Sequence, residues 1–205
     1  TINRGDKVAF VGKNGEGKST LVKCIMGEID FEGKLQLGHN VKIGYFAQNQ
    51  AQLLDDKLTI FDTIDYVAQG DIRTKIRDIL GAFMFGGEAS DKKVEVLSGG
   101  ERSRLAMIRL LLEPVNLLIL DEPTNHLDIT SKEILEQALN DYTGTILYVS
   151  HDRYFINKLA TKIVEMNPHG DEIFGGNYSY YLEHRKVEEV VKETAVKVQI
   201  GRAHV

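Results

Sequence analysis

At 205 residues, with 42% hydrophobic and 27% charged side chains, the chain is sized for one globular domain with a substantial core. Its formal net charge of −5 lends no support to a nucleic-acid-binding class, although a local basic patch stays open. Cys24 has no second cysteine to pair with and reads as a small buried hydrophobe, and no apolar run approaches the ~18 residues of a membrane span or forms a secretory signal, so a cytoplasmic protein without membrane insertion is expected.

In chain order, "KVAFVG" (7–12) is a short β-rich apolar run that reads as a buried strand, and "STLVKCIMG" (19–27) as a helix closed by Gly27. Between them, Gly12-Lys13-Asn14-Gly15-Glu16-Gly17-Lys18-Ser19 satisfies the phosphate-loop pattern in its proper strand–loop–helix setting. Glycines let successive N–H groups turn inward toward phosphate oxygens, and the helix start adds its positive dipole end. Lys18 is expected on the β- and γ-phosphates and the Ser19 hydroxyl on Mg²⁺, which makes this a nucleoside triphosphate site. "GKLQLG" (33–38) and "VKIGYFAQ" (41–48) alternate around "GHN" and suggest a small antiparallel hairpin. Residues 59–85 carry helical periodicity through Ile60, Ile64, Val67, Ile72, Ile76, Ile79, Leu80 and Phe83.

"SGGERSRLAMIRLLLE" (98–113) is a further helix whose Ser98 and Glu101 have capping-box spacing, and Pro114 ends it. "NLLILDEP" (116–123) is apolar on both faces, as a central parallel strand is, so Asp121 emerges at its carboxyl end. Asp121 there suits Mg²⁺ held through water, and Glu122 suits a general base or a group that orients the attacking water. "TSKEILEQALND" (130–141) repeats a Thr-x-x-Glu cap before a helix, "GTILYVSHD" (144–152) is again a buried strand, "RYFINKLA" a helix, and "KIVEM…DEIFGG" a terminal hairpin. Alternating strands and helices imply an α/β fold, a mostly parallel sheet covered on both faces, with the strandless region 58–95 standing off it.

Taken together, "GKNGEGKST", "LSGGE" before "LLILDEP", then "NHLD" and "SHD" resemble the nucleotide-binding domain of ATP-binding cassette proteins over residues 1–198. The resemblance implies that ATP and Mg²⁺ are bound, with Gly12, Asn14, Gly15, Gly17, Lys18, Ser19 and Thr20 around the phosphates. It makes Gln48 the Q-loop glutamine near Mg²⁺ and the attacking water, Asp121 a metal residue, Glu122 the base and His151 the switch histidine. Leu97 to Glu101 become the signature loop, with Ser98, Gly99 and Gly100 turned to the ATP of a partner cassette, and Asn125 to Asp128 the D-loop, with Asp128 at the nucleotide.

"DEPTNHLD", "VSHDRYF" and "GGNYSYYLEHR" are similar to the ABC-F group, which carries two cassettes in one chain and no membrane domain. The short interval between Gln48 and Leu97, with "YFAQ" and "RDILGAFMF", resembles the second cassette. Separately, both ends read as cut, since the chain starts at Thr1 rather than Met close to a strand and "IGRAHV" abruptly follows a charged helical pattern. The resemblance implies an ATP-driven switch acting on the ribosome and its rRNA, in translation regulation, rescue or antibiotic protection; the competing class is the ATPase subunit of a membrane transporter. Glu16 departs from the small residue common in the family, Glu101 from the commoner glutamine, and the family's adenine-stacking aromatic lies upstream of Thr1.

The expected organisation is a cassette over 1–176, with a helical lobe at about 58–112, and a C-terminal helical extension over 177–199. That extension carries matched acids and bases and reads as a solvated or docked amphipathic helix, with RNA contact as the alternative. "IGRAHV" (200–205) is set apart as a non-native tail, because one reading frame of a common sequencing-library adapter encodes the same hexapeptide; an ordinary chain end is the alternative.

Overall fold

The computed structural model describes residues 1–185 apart from Asn14, Glu16, Gln48, His126 and His169. Residues 186–205, and with them most of the expected extension and the set-apart tail, lie outside the described residues.

Six strands form one sheet in the order β2-β3-β4-β1-β5-β6. They are β1 (Lys7–Val11), β2 (Ile43–Phe46), β3 (Leu117–Asp121), β4 (Thr145–Val149), β5 (Lys162–Glu165) and β6 (Glu172–Phe174). All neighbours are parallel except β5 and β6, which form the expected terminal hairpin. Side chains alternate between faces along each strand. On β1, Val8 and Phe10 join Leu117, Ile119, Leu147 and Val149 beneath α1 (Lys18–Met26), where Val22 packs. Ala9 and Val11 point the other way, into a core with Leu118, Leu120, Ile146 and Tyr148. A sheet buried on both faces explains why β3 and β4 read as continuous apolar runs.

The second core continues into helices α2 (Ile60–Asp65), α3 (Ile76–Ala82) and α4 (Gly99–Leu112) through Ile60, Ile64, Ile76, Leu80 and Leu105. The helical period expected through 59–85 is interrupted: Gly70 adopts φ 57 and opens a 3₁₀ turn, Gly70–Lys75. Ile72 is consequently exposed, while Ala68 and Phe85 take core places that the periodicity does not assign. α5 (Ile129–Asp141) and α6 (Arg153–Leu159) complete the cover, and residues 178–185 are helical.

Local expectations are corrected in three places. Residues 33–38 form no strand, and Leu35 and Leu37 are exposed; β2 pairs in parallel with β3 instead of closing a hairpin. An isolated two-stranded hairpin is marginal. β2 instead joins β3, and at Gly44 the approach is so close that a Cβ there would sit 2.8 Å from Leu110 Cδ1 of α4 and 3.2 Å from Leu118 Cδ2 of β3. The cap of α5 is Asp128, whose side chain accepts from the Ser131 N–H, two residues before the expected Thr130. Cys24 is half-buried rather than enclosed.

Candidate functional site

β1, β3 and β4 end side by side, and the segments leaving those three ends build the site. After β1 the chain turns through Gly12, Gly15 and Gly17 at φ 148, 87 and 89. These left-handed values are the ones glycine supplies without a steric penalty. Gly17 is the N-terminal boundary of α1, and its φ of 89 aims the first turn, with Lys18, Ser19 and Thr20, back across the loop. The Lys18 ammonium is buried and donates to the carbonyl oxygens of Gly12 and Lys13, both at 2.8 Å. Ser19 and Thr20 stand exposed on the same turn. Asn14 and Gln48, assigned to this site from the sequence, and Glu16, noted there as a departure from the family, lie outside the described residues.

β3 ends in Asp121, and Glu122 follows it. Glu122 sits at φ 51, a left-handed conformation uncommon for a residue with a side chain. The strain is held in place because its N–H still donates to the Val149 carbonyl oxygen at 2.9 Å, extending the β3–β4 pairing by one residue. The bend turns the carboxylate toward the end of β4. There Oε2 accepts from the His151 N–H at 3.3 Å, and Oε1 lies 3.5 Å from His151 Nε2. Oε1 is buried with no hydrogen-bond partner. The carboxylate is 15% exposed whereas the imidazole is 64% exposed, so His151 is the open wall of the pair.

Burial pushes the Glu122 carboxyl above its ordinary value; His151 and Lys18 pull it back, and Asp121 pushes with burial. Burial also raises Asp121, opposed by Lys23. Two adjacent acids raised by desolvation at a strand end are a common mark of a site that works on protons or cations.

The third set of residues is separate. Ser98 caps α4, accepting from the Glu101 N–H at 3.3 Å while its own N–H donates to Glu101 Oε2 at 2.8 Å, the reciprocal box its spacing predicts. Ser98 and Gly99 are exposed, and a Cβ on Gly99 would meet nothing within 4 Å. The helix start thus presents bare backbone outward. The Asp128 carboxylate is engaged as the α5 cap.

Several supports carry no motif in the sequence. The Ser150 hydroxyl accepts from the Asp152 N–H at 3.1 Å and lies 3.5 Å from the Thr124 hydroxyl, and Lys132 Nζ is 3.0 Å from Asp152 Oδ2. They fasten the segments after β3 and β4 to each other. The only sequence signal for them is the Ser-x-Asp spacing of a side-chain turn.

A cleft of about 490 Å³ opens at this end of the sheet, its walls including Gly12, Lys18, His151, Arg153 and Arg185. A larger one, about 1020 Å³, lies at the amino ends of the strands against Asn3, Gly5, Asn116 and Thr145 and contains no motif residue. The smaller cleft lies at the end of the sheet where ligands of open α/β sheets bind, beyond the carboxyl ends of the strands, and Lys18 and His151 line it, whereas Asp121 and Glu122 are not among its walls.

Known proteins resemble this chain in sequence and in fold. The family model described as ABC transporter matches residues 1–125. The chain is 48% identical to ABC transporter F family member 5 of Arabidopsis thaliana over 89% of its own length and 27% of that protein's. It is 45% identical to the ATP-binding protein Uup of Haemophilus influenzae over 86% of its length and 28% of that protein's. It therefore spans under a third of the length of these relatives. Among solved structures it resembles RNase-L Inhibitor, with TM-score 0.66 and 26% identity over 80% of this chain and 32% of that one. It also resembles the archaeal ribosome recycling factor aABCE1 solved with the stalk protein aP1, at TM-score 0.65 and 24% identity over 80% and 32%, a likeness of fold alone. The chain belongs to the ABC transporter family, with ABC-F proteins as relatives over most of its length.

Proposed function

We propose that this domain is the second cassette of a two-cassette ABC-F protein of the cytoplasm, an ATP-driven switch that acts on the ribosome. The reading of the site rests on one observation above all: Glu122, bent at φ 51, carries a half-buried carboxylate whose Oε1 has no hydrogen-bond partner while Oε2 is steadied by the His151 N–H. A fixed acceptor with an unused lone pair is suited to take the proton of a water that attacks the γ-phosphate.

Lys18 leaves the carbonyls of Gly12 and Lys13 for the β- and γ-phosphates, and the N–H groups of Gly15, Gly17 and the α1 start hold the remaining oxygens. His151, with its exposed ring, stands where a γ-phosphate oxygen accepts from it. The donors offered for a metal are hard oxygens, the Ser19 hydroxyl and the Asp121 carboxylate, with Gln48 a third by the family resemblance of the sequence. Among the described residues no cluster of three or more His, Cys, Asp or Glu forms a protein-only cage. That set fits Mg²⁺, which favours one or two protein oxygens alongside substrate phosphates. When bound, Mg²⁺ neutralises charge building on the β- and γ-oxygens.

The outward-facing start of α4 at Ser98, Gly99 and Gly100 serves the ATP of a partner cassette, and the Asn125–Asp128 stretch of the sequence shares that role. Each ATP then needs both halves, and ATP binding selects the closed arrangement that engages the ribosome. The ABC-F motifs "NHLD" and "SHDRYF", and the relatives of that group, favour this reading over a transporter subunit. No helix among the described residues is long and apolar enough to cross a membrane.

The test is co-sedimentation of the full-length Glu122→Gln protein with ribosomes. Retention with ATP and release with ADP is expected. A protein that binds ATP yet stays off ribosomes in both states defeats the ribosomal part.

A further inference from the structure

Arg104 is a buried cation that the phosphate chemistry does not use. It lies on α4 beyond the Ser98 cap, is 8% exposed, and has no carboxylate within ion-pair distance among the described residues. Its Nη1 donates to the Ser131 hydroxyl at 2.6 Å and lies 3.9 Å from the Met84 sulfur. The guanidinium covers the Phe85 ring at 4.6 Å, and its Nε is buried with no hydrogen-bond partner. A buried, unpaired guanidinium costs stability compared with an apolar side chain of the same length. Packing alone therefore does not account for it.

Its contacts gather three segments. Met84, at φ 64, and Phe85 belong to the turn after α3; Arg104 belongs to α4; Ser131 belongs to the first turn of α5. Ser131 is itself 2% exposed, and its N–H is held by the Asp128 carboxylate at 2.7 Å. The buried pair Arg104–Ser131 thus ties α4 to the start of α5, whose exposed cap Asp128 holds the Ser131 N–H. The two capping acids, Glu101 and Asp128, both lie within the field of the guanidinium, which favours their charged forms behind the hydrogen bonds each makes to its own helix turn.

We propose that Arg104 is a positioning residue that locks the 98–101 helix start, through Ser131, to the Asp128-capped start of α5, so that both meet the partner cassette's ATP as one rigid unit. The proposal rests on the reading of those two segments as the surface facing that ATP. Arg104 touches no nucleotide; it acts through Ser131. Its planar fork is what lets one side chain reach a hydroxyl, a sulfur and a ring face together, which a lysine ammonium does not reproduce.

The experiment is steady-state ATP hydrolysis by the full-length chain carrying Arg104→Lys, Ser131→Ala, both together, or Ser131→Thr. Arg104→Lys and Ser131→Ala are each expected to lower kcat about tenfold with KM for ATP within about twofold of wild type. The double variant should be no slower than the slower single, because both remove one link. Ser131→Thr, which keeps the hydroxyl, should run close to wild type. Wild-type kcat in both single variants overturns the proposal, as do losses that multiply in the double, or a threonine as slow as the alanine. If Arg104→Lys fails to fold, the comparison of alanine with threonine at Ser131 decides alone. Glu122→Gln in the same chain separates the two levels. Turnover that survives Glu122→Gln breaks the assignment of the site, whereas turnover that needs Glu122 but ignores Arg104 and Ser131 breaks only the positioning role.

Discussion

The backbone at Glu122 makes a quantitative prediction that compares two substitutions at one position, Glu122→Ala and Glu122→Gly. Both delete the carboxylate and its bond to the His151 N–H, so those losses cancel in the comparison. What remains is the cost of holding φ at 51. A residue with a Cβ loses about 1–2 kcal/mol in the left-handed region. Glycine avoids this but gives up about 0.5–1 kcal/mol of extra unfolded-state freedom. The net favours the glycine variant by about 0.5–1 kcal/mol, whereas in an ordinary strand or helix alanine wins by a similar amount. Urea denaturation of the two variants, read by far-UV circular dichroism, should place the glycine midpoint above the alanine midpoint at equal slope. A scan should separate their melting temperatures by roughly 1–4 °C in the same sense for a chain of this size. An alanine variant as stable as the glycine variant, or more stable, would show that the fold does not impose the bend and that Glu122 is aimed by some other means.

Acid sensitivity gives a second prediction. Burial raises both Asp121 and Glu122 above their ordinary values of 3.8 and 4.5, so between those values and the folded ones the native chain holds protons that the unfolded chain releases. Stability from these two groups is therefore greatest in acid and is lost as pH rises through the folded values. Asp121→Asn and Glu122→Gln should raise the urea midpoint at pH 7 and lose that advantage at pH 4 and below; a gain that is equal at both pH values contradicts the desolvation of these acids. At the phosphate loop, Lys18→Ala removes an ammonium that makes two 2.8 Å bonds to loop carbonyls. Losing one charge-assisted contact to phosphate at about 1.5–3 kcal/mol predicts a roughly 10- to 150-fold weaker ATP affinity by calorimetry, and unchanged affinity counts against the site as drawn.

The sequence exposes this fold unevenly, for reasons that lie in particular residues. β1, β3 and β4 are readable because both faces are buried, so each strand is a short unbroken apolar run. The phosphate loop and the Ser98–Glu101 box are readable because their chemistry is local: every partner lies within a few residues. β2 misleads because its alternation matches a nearby segment, whereas its true neighbour, β3, lies about seventy residues on. The α5 cap misleads for a smaller reason. Asp128 and Thr130 are both acceptable caps, and only the three-dimensional path of the preceding loop selects between them. The bend at Glu122 and the burial of Arg104 leave no local signature at all, since each is imposed by contacts with elements distant in the chain. Those two residues are also where the structure adds most to the reading of the site.

The most direct test of the central claim is ATP turnover by the full-length protein with Glu122→Gln, measured beside wild type across pH. The expected result is ATP binding within a few-fold of wild type and a kcat lower by about 10²–10⁴, the usual contribution of a general base. Wild type should lose kcat on the acid side at a pH above the ordinary carboxylate value of 4.5, and the variant's residual rate should lack that limb. A Glu122→Gln protein that hydrolyses ATP at the wild-type rate, with the same acid limb, contradicts the role of Glu122 as the base.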